Sequence, residues 1–289
     1  MINFLKYRWI YFLISAVVIG VGLFSIIKWG FRYSIDFTGG SNFEFQINKV
    51  VEKSKIQKVL DLNKISVISL KQQDRNITIR TKVLDQKEES LLKKDLEAKL
   101  KVKLTVLRSE TVGPILGKES VRKTLIASIL AIIGILIYMS FAFKGFNFAF
   151  AAILAMFHDL LVVVGMYSLL THFFGAEVDT MFVTAVLTTM SFSVHDTIVI
   201  FDKIREYHNE QETLETEPAS NQALTETMIR SINNSMTIVF MLLALTIMGG
   251  STIRFFILTL LIGTITGTYS SPFVATPILV WLEKRKEQK

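Results

Sequence analysis

Six stretches of mostly apolar residues divide this chain, at 9–27, 125–143, 148–170, 181–201, 235–248 and 255–281. A helix of about 20 residues crosses some 30 Å of hydrocarbon, and only helices or closed barrels satisfy their backbone groups there. The fifth stretch is the shortest and must extend back to about residue 232 to span. Hydrophobic residues make up 51% of the 289, far more apolar surface than a water-soluble chain of this length needs. The prediction is an α-helical polytopic membrane protein with six transmembrane helices. Although the first stretch follows Lys6 and Arg8 as a signal peptide would, it is too long for one and no small-residue cleavage site follows. It reads as a retained anchor. The absence of cysteine excludes disulfides and thiolate metal sites.

Short-loop charge sets the expected orientation. Lys6, Arg8, Lys144, Lys203, Arg205 and the tail residues Lys284, Arg285, Lys286 and Lys289 fall on one side, whereas the loop 171–180 carries Glu177 and Asp179. The positive-inside rule puts both termini in the cytoplasm and the long insertion after span one outside, in the periplasm or its equivalent. The expected domains are 1–29 (N-terminus and first span), 30–122 (ectodomain), 123–282 (spans two to six, with a cytoplasmic loop at about 203–231) and 283–289 (cytoplasmic tail). The ectodomain holds 19 Lys/Arg and 12 Asp/Glu, leaving 13 of each for the rest, so the net charge of +7 belongs to it. That excess suits anionic headgroups of the lipid bilayer or extended chains, although a plain solvated surface is the simpler reading. Nucleic acid is not a sensible partner on that side of a membrane.

Within the insertion, residues 42–47 alternate apolar and polar as a half-buried strand does. A helix is expected over 52–62 with Ile56, Val59 and Leu60 inward, then strands at 65–70 and 76–82 around the turn 72–75. A charged helix over 85–100, with Leu91, Leu92, Leu96 and Leu100 toward the core, and a strand at 104–108 complete the order β-α-β-β-α-β, a ferredoxin-like α+β module. It has no histidine and no clustered acids. No catalytic site is evident, and the chain is not expected to be an enzyme.

Polar residues inside the spans carry the functional signal. Asp196 lies within the fourth, and a charge at a span's centre costs about 2.5–3.5 kcal/mol on insertion scales. At 100° per residue, Thr189, Ser193 and Asp196 share one stripe. Such a stripe is expected to face protein or a hydrated crevice. In one chain alone it would lack an apposed partner, so the isolated chain is expected to be inactive. A carboxyl whose charge state depends on whether water reaches it can take up a proton on one side and release it on the other. One charge crossing 100 mV yields about 2.3 kcal/mol. Arg230, before span five, is placed to reach inward and pair with Asp196. Asp159, next to His158 in span three, is a second candidate, with a structural hydrogen bond as the plain alternative. His195 is weighed as a packing residue or a proton shuttle. Gly263, Gly267 and Ser271 form a small-xxx-small face for close helix packing in span six.

These residues also carry a resemblance. Ser34-Ile35-Asp36-Phe37-Thr38-Gly39-Gly40 resembles the G-I-D-F-T-G-G signature of the bacterial SecF family of protein-export membrane subunits (SecD/SecF, RND superfamily). Val112-Gly113-Pro114, His158-Asp159, the run from Phe192 to Glu206, Thr227 to Ser231, and Gly263 to Ser271 are similar to further motifs of that family, in register from about residue 8 to 282. The resemblance implies half of an RND-type bundle, completed by SecD. It implies docking on the SecYEG translocon and use of the ion gradient to draw unfolded preproteins across the bacterial inner membrane. It makes Asp196 and Arg230 ion-pathway residues and puts Asp36, Gly39 and Gly40 at the hinge between span one and the ectodomain. No cofactor is implied, and H+ is favoured over Na+ as coupling ion. Ser34 stands where the family pattern has Gly, and His195 where it has Asn, which leaves the ion open. The competing readings are an RND-type drug or lipid exporter half, for which this ectodomain is small, and a structural assembly subunit with no ion pathway of its own.

Overall fold

Where a chain is apolar on every side, its helices can bury only a narrow polar or small-residue seam against one another, and the helices here are arranged by such seams. The computed structural model describes residues 3–63, 65–143, 145–210 and 215–287. Lys144 and Lys289, used in the charge argument, lie outside the described residues. Two compact units emerge, Met1–Arg32 with Ala127–Lys289, and Tyr33–Ile126. Gly30 and Arg32 stay with the membrane body rather than the ectodomain expected from residue 30. Ser168 Oγ donates to the Gly30 carbonyl at 3.1 Å, and Val178 N–H to that of Arg32 at 2.7 Å.

Chain order begins with α1 (Arg8–Trp29), a short α2 (Ile35–Thr38) and β1 (Gly40–Ile47), followed by α3 (Lys53–Leu62), β2 (Val67–Gln73) and β3 (Asn76–Thr81). Then come α4 (Gln86–Leu100) and β4 (Leu104–Val112). The sheet order is β2-β3-β1-β4 with antiparallel pairings, the arrangement of a split β-α-β unit. Alternation in β1 buries Phe43, Phe45 and Ile47 against Ile56, Val59, Leu60, Leu92 and Leu96. Two local expectations change. β2 runs on to Gln73, so the turn contracts to Asp74 and Arg75, with Asp74 in the left-handed region at φ 51°. Leu91 is 61% exposed, because the i, i+4 pair Leu92 and Leu96 already fills the sheet-facing line of α4. That helix starts at a capping box between Asp85 and Glu88.

The membrane body holds α5 (Pro114–Ala142), which begins within the ectodomain unit, then α6 (Phe146–Phe174), α7 (Thr180–Glu210), α8 (Thr216–Met248), α9 (Arg254–Ser270) and α10 (Thr276–Glu287). Together with α1, these give six helical runs long and apolar enough to cross a membrane, α9 and α10 counting as one. The multi-pass membrane architecture with one α+β domain is thus the fold. The segment 203–231, expected as a loop, is helix on both sides of residues 211–214, which lie outside the described residues. The extension buries Ile204 and Tyr207 on α7 and Ala219, Ala223 and Leu224 on α8, and polar contacts add to this packing. Lys203 pairs with Glu226 at 3.4 Å, Lys284 with Glu217, and Asn221 accepts from Leu5 N–H at 3.3 Å.

Close approach organises the core. A Cβ on Gly22 of α1 would lie 2.8 Å from the Gly165 Cα of α6, so these helices touch backbone to backbone. Ser25 and Ser168 hydroxyls meet at 2.8 Å one turn further on, and Trp29 stacks on His172 with centroids 3.9 Å apart. The sixth span is not a uniform helix. A π-helical turn, Ser271–Ala275, separates α9 from α10. Pro272 inside it has no N–H to continue the ladder, and the wider turn absorbs that loss.

Candidate functional site

The site is built where α6, α7 and α9 meet. Thr189, Ser193 and Asp196, at i, i+4 and i+7 of α7, are all buried. The face against them comes from the same chain. A Cβ on Gly263 would sit 2.2 Å from Thr189 Cγ2, and one on Gly267 3.0 Å from Ser193 Cβ. Ser271, four residues on, places its hydroxyl 2.9 Å from that of Thr197 and donates to the Ser193 carbonyl at 3.4 Å. The small-residue face of α9 therefore lies on the hydroxyl stripe of α7. This overturns the expectation that the stripe lacks an apposed surface in a single chain: glycines without side chains let α9 supply it.

Two buried carboxylates lie within this packing, on neighbouring helices. Asp159 of α6 is 3% exposed and Asp196 of α7 is 4% exposed, so neither reaches the surface of the body. Asp159 is the more heavily bonded. Its Oδ1 lies 2.8 Å from His158 Nδ1, and its Oδ2 accepts from Ser193 Oγ and, at 2.7 Å, from Ser270 Oγ. His158 Nε2 in turn lies 2.9 Å from Ser15 Oγ of α1. Ala155 and Ala152, one and two turns earlier on the same face of α6, are also buried and leave room for this contact.

Asp196 is held differently. Ser231 Oγ of α8 donates to its Oδ2 at 3.0 Å. Among the described residues no ion pair joins Asp196 to Arg230, whose side chain is exposed. The expected pair is replaced by its sequence neighbour: one residue is a 100° step on a helix, and the step that turns Ser231 inward turns Arg230 out. His195 is likewise exposed, because it precedes Asp196 by the same step on α7. Asp202, at the end of that span, pairs with Arg205 as an interfacial group would.

The junction residues lie in the ectodomain unit. Ser34 Oγ caps α2 by accepting from Asp36 N–H at 3.2 Å, a role that glycine at this position would not fill. Gly39 and Gly40 have φ values of 71° and 126°. A Cβ on Gly39 would lie 2.9 Å from Pro114 Cα, and one on Gly40 2.7 Å from the Thr81 carbonyl. Asp36, Gly39 and Gly40 thus belong to a tightly packed backbone crossing, braced by Arg80 Nη2 donating to Thr38 Oγ1 at 2.7 Å.

Chemically, the arrangement offers two isolated carboxylates, one imidazole and a chain of hydroxyls that donate or accept as charge states change. Among the described residues no group of three or more His, Cys, Asp or Glu could hold a metal ion. Ser15, Ser231 and Ser270 are the site residues that sequence reasoning did not assign. Ser15 and Ser25 are the hydroxyls within the apolar run 9–27, and that polarity was the available signal for Ser15.

Known proteins place the chain in a wider frame. The family described as "Protein export membrane protein SecD/SecF, C-terminal" matches residues 92–285, and the "SecD/SecF GG Motif" matches 24–49. Protein translocase subunit SecF of Thermobaculum terrenum is 40% identical, over 99% of this chain and 95% of that one. Protein translocase subunit SecDF of Thermus thermophilus is 34% identical over 96% of this chain but only 37% of its own length. The crystal structure of SecDF from that organism, described as a translocon-associated membrane protein, superposes with a TM-score of 0.86 at 32% identity. The match covers 98% of this chain and 39% of that one, so this chain corresponds to about two fifths of the SecDF polypeptide.

Proposed function

This chain belongs to the SecF family of SecD/SecF protein-export membrane proteins, and from its role in Sec export we propose that it couples the transmembrane ion gradient to preprotein movement. Asp196 is the carrier. The observation that supports this is a carboxyl buried at the middle of a membrane helix, with a hydroxyl from α8 where a fixed counter-ion was expected. A carboxylate locked to an arginine would keep its charge permanently, whereas one facing a serine can take up and release a proton as water access changes.

Ser231 and Arg230 provide the second state. A turn of α8 by one residue, about 100°, exchanges the serine for the guanidinium at Asp196. In one state the acid faces a neutral donor and can hold a proton, and in the other it is ionised and paired. Alternation between the two across the potential converts about 2.3 kcal/mol per charge per 100 mV into helix movement. Thr189 and Ser193, on the same stripe, line the approach, and His195, one residue before the carboxyl, sits where it biases the choice of ion. The coupling ion in this reading is H+ rather than Na+, and no cofactor or catalytic chemistry is involved.

The partner that completes the unit is SecD, since SecD and SecF occur as one polypeptide in the SecDF relative. The pair acts at the SecYEG translocon on unfolded preproteins and promotes their release on the far side. The body lies in the bacterial inner membrane with both termini cytoplasmic and the ectodomain periplasmic. Asp36, Gly39 and Gly40, which the family resemblance makes the hinge, fix the backbone at the start of the ectodomain's first strand. Asp196→Asn tests the reading: gradient-dependent export is lost while the variant still inserts and copurifies with SecD. Undiminished export in that variant refutes it.

A further inference from the structure

The His158–Asp159 pair is buried and titratable, and the mechanism above does not use it. Its bonds reach three of the helices packed around α6: Ser15 on α1, Ser193 on α7 and Ser270 on α9. Those helices offer it no fixed cation. The sequence has no Lys or Arg at 9–27, 146–171, 180–202 or 255–282. Within those stretches the remaining titratable groups are Tyr11, Tyr167, His195, Asp196, Asp202 and Tyr269, while Arg8, Lys28, His172, Arg254 and the charged residues from Lys203 onward on α7 sit at the helix ends. Tyr269 is the one whose ring lies near His158, with centroids 6.5 Å apart. Asp196 is bonded to Ser231 and His195 is exposed.

An ionised Asp159 beside a neutral His158 therefore leaves a net negative charge in the hydrocarbon layer, which is unfavourable. One proton, on His158 or on Asp159, cancels it. The surrounding hydrogen bonds survive that change. With His158 doubly protonated, Nε2–H donates to Ser15 Oγ. With the proton gone, the Ser15 hydroxyl turns and donates to Nε2. Protonating Asp159 Oδ2 instead converts an acceptor of two hydroxyl bonds into a donor of one, so either Ser193 or Ser270 must turn away. Hydroxyls at all three contacts suit a group that changes its proton count.

We infer that His158–Asp159 is a second proton-binding site of the bundle, distinct from Asp196, whose occupancy is passed to α7 and α9 through Ser193 and Ser270. Ser193 lies one turn before Asp196, and its carbonyl accepts from Thr197 at 3.1 Å and from Ser271, so the two acids share a packed segment of α7. The inference rests on the gradient-coupled reading and adds a proton to its cycle.

The pH dependence of gradient-driven export, in membrane vesicles carrying the full chain with SecD, tests it. Each proton that must bind contributes up to about tenfold in rate per pH unit on the limiting limb. The unaltered protein is expected to approach a slope of two and Asp159→Asn a slope of one, while His158→Gln, in which the carboxyl can still take the proton, is expected to keep the slope and move its midpoint. Ser270→Ala, which removes a bond but no titrating group, is expected to lower the rate with the slope kept. If Asp159→Asn fails to accumulate, Ser15→Ala decides, since loss of the Nε2 partner is expected to move the midpoint of the profile. A wild-type slope in Asp159→Asn overturns the inference, as does a Ser15→Ala profile that coincides with wild type. Full export by Asp196→Asn, by contrast, overturns the underlying reading itself.

Discussion

Replacing Gly263 with alanine puts a carbon where the structure has none to spare. The added Cβ would lie 2.2 Å from Thr189 Cγ2 and 2.4 Å from Thr189 Cβ. Carbon atoms settle at about 3.5–4.0 Å, so α7 and α9 must part locally by more than about 1 Å. Rotating Thr189 removes only the first clash, because its Cβ is fixed by the backbone. Its hydroxyl is also bonded to the Val186 carbonyl at 2.9 Å. Overpacking of this kind costs about 1–3 kcal/mol, and here it also weakens the Ser193 and Ser271 contacts one and two turns along. Thermal unfolding of the purified chain in lipid nanodiscs reads this directly, with Gly134→Ala as control, since nothing lies within 4 Å of a Cβ there. Pairing with Thr189→Ala should not restore stability, whereas Thr189→Gly should recover most of it. The packing argument is refuted if Gly263→Ala matches the Gly134→Ala control, or if Thr189→Ala rescues as well as Thr189→Gly.

Other outcomes follow from the same contacts. Gly39→Ala and Gly40→Ala should each destabilise the ectodomain by at least about 1 kcal/mol, because positive φ and backbone crowding act together; hydrogen exchange in the full chain measures it. Leu92→Ala should cost about 2–5 kcal/mol against about 0.5 or less for Leu91→Ala, read as the difference in proteolytic resistance of the same domain. Asp85→Ala should cost about 0.5–2 kcal/mol through loss of the capping box, with Asp85→Ser recovering most of it.

Much of the architecture was legible because membranes leave few choices. Length and hydropathy mark the spans, and period-two alternation marks β1 and β3. The helical character of 203–231 was harder to read, because its apolar stripe is short, Ile204 and Tyr207 on one side and Ala219, Ala223 and Leu224 on the other, and lies among many charged residues. The inward stripe of α7 follows from helix geometry and was readable. What covers it was not, since the glycine face of α9 is complementary only once two helices are side by side. Arg230 and Ser231 illustrate the limit most plainly. Their separation is one residue, and only the rotation of α8 decides which of them meets Asp196.

The central claim is that proton movement through Asp196 drives export. Its most direct measurement is preprotein export in membrane vesicles carrying the chain with SecD, with the proton and sodium gradients collapsed separately, for wild type and Asp196→Asn. The account predicts that collapsing the proton gradient lowers wild-type export to the level of Asp196→Asn, that the variant is indifferent to either collapse, and that removing sodium changes nothing. Wild-type export that survives loss of the proton gradient, or an Asp196→Asn variant that still responds to it, would contradict the account.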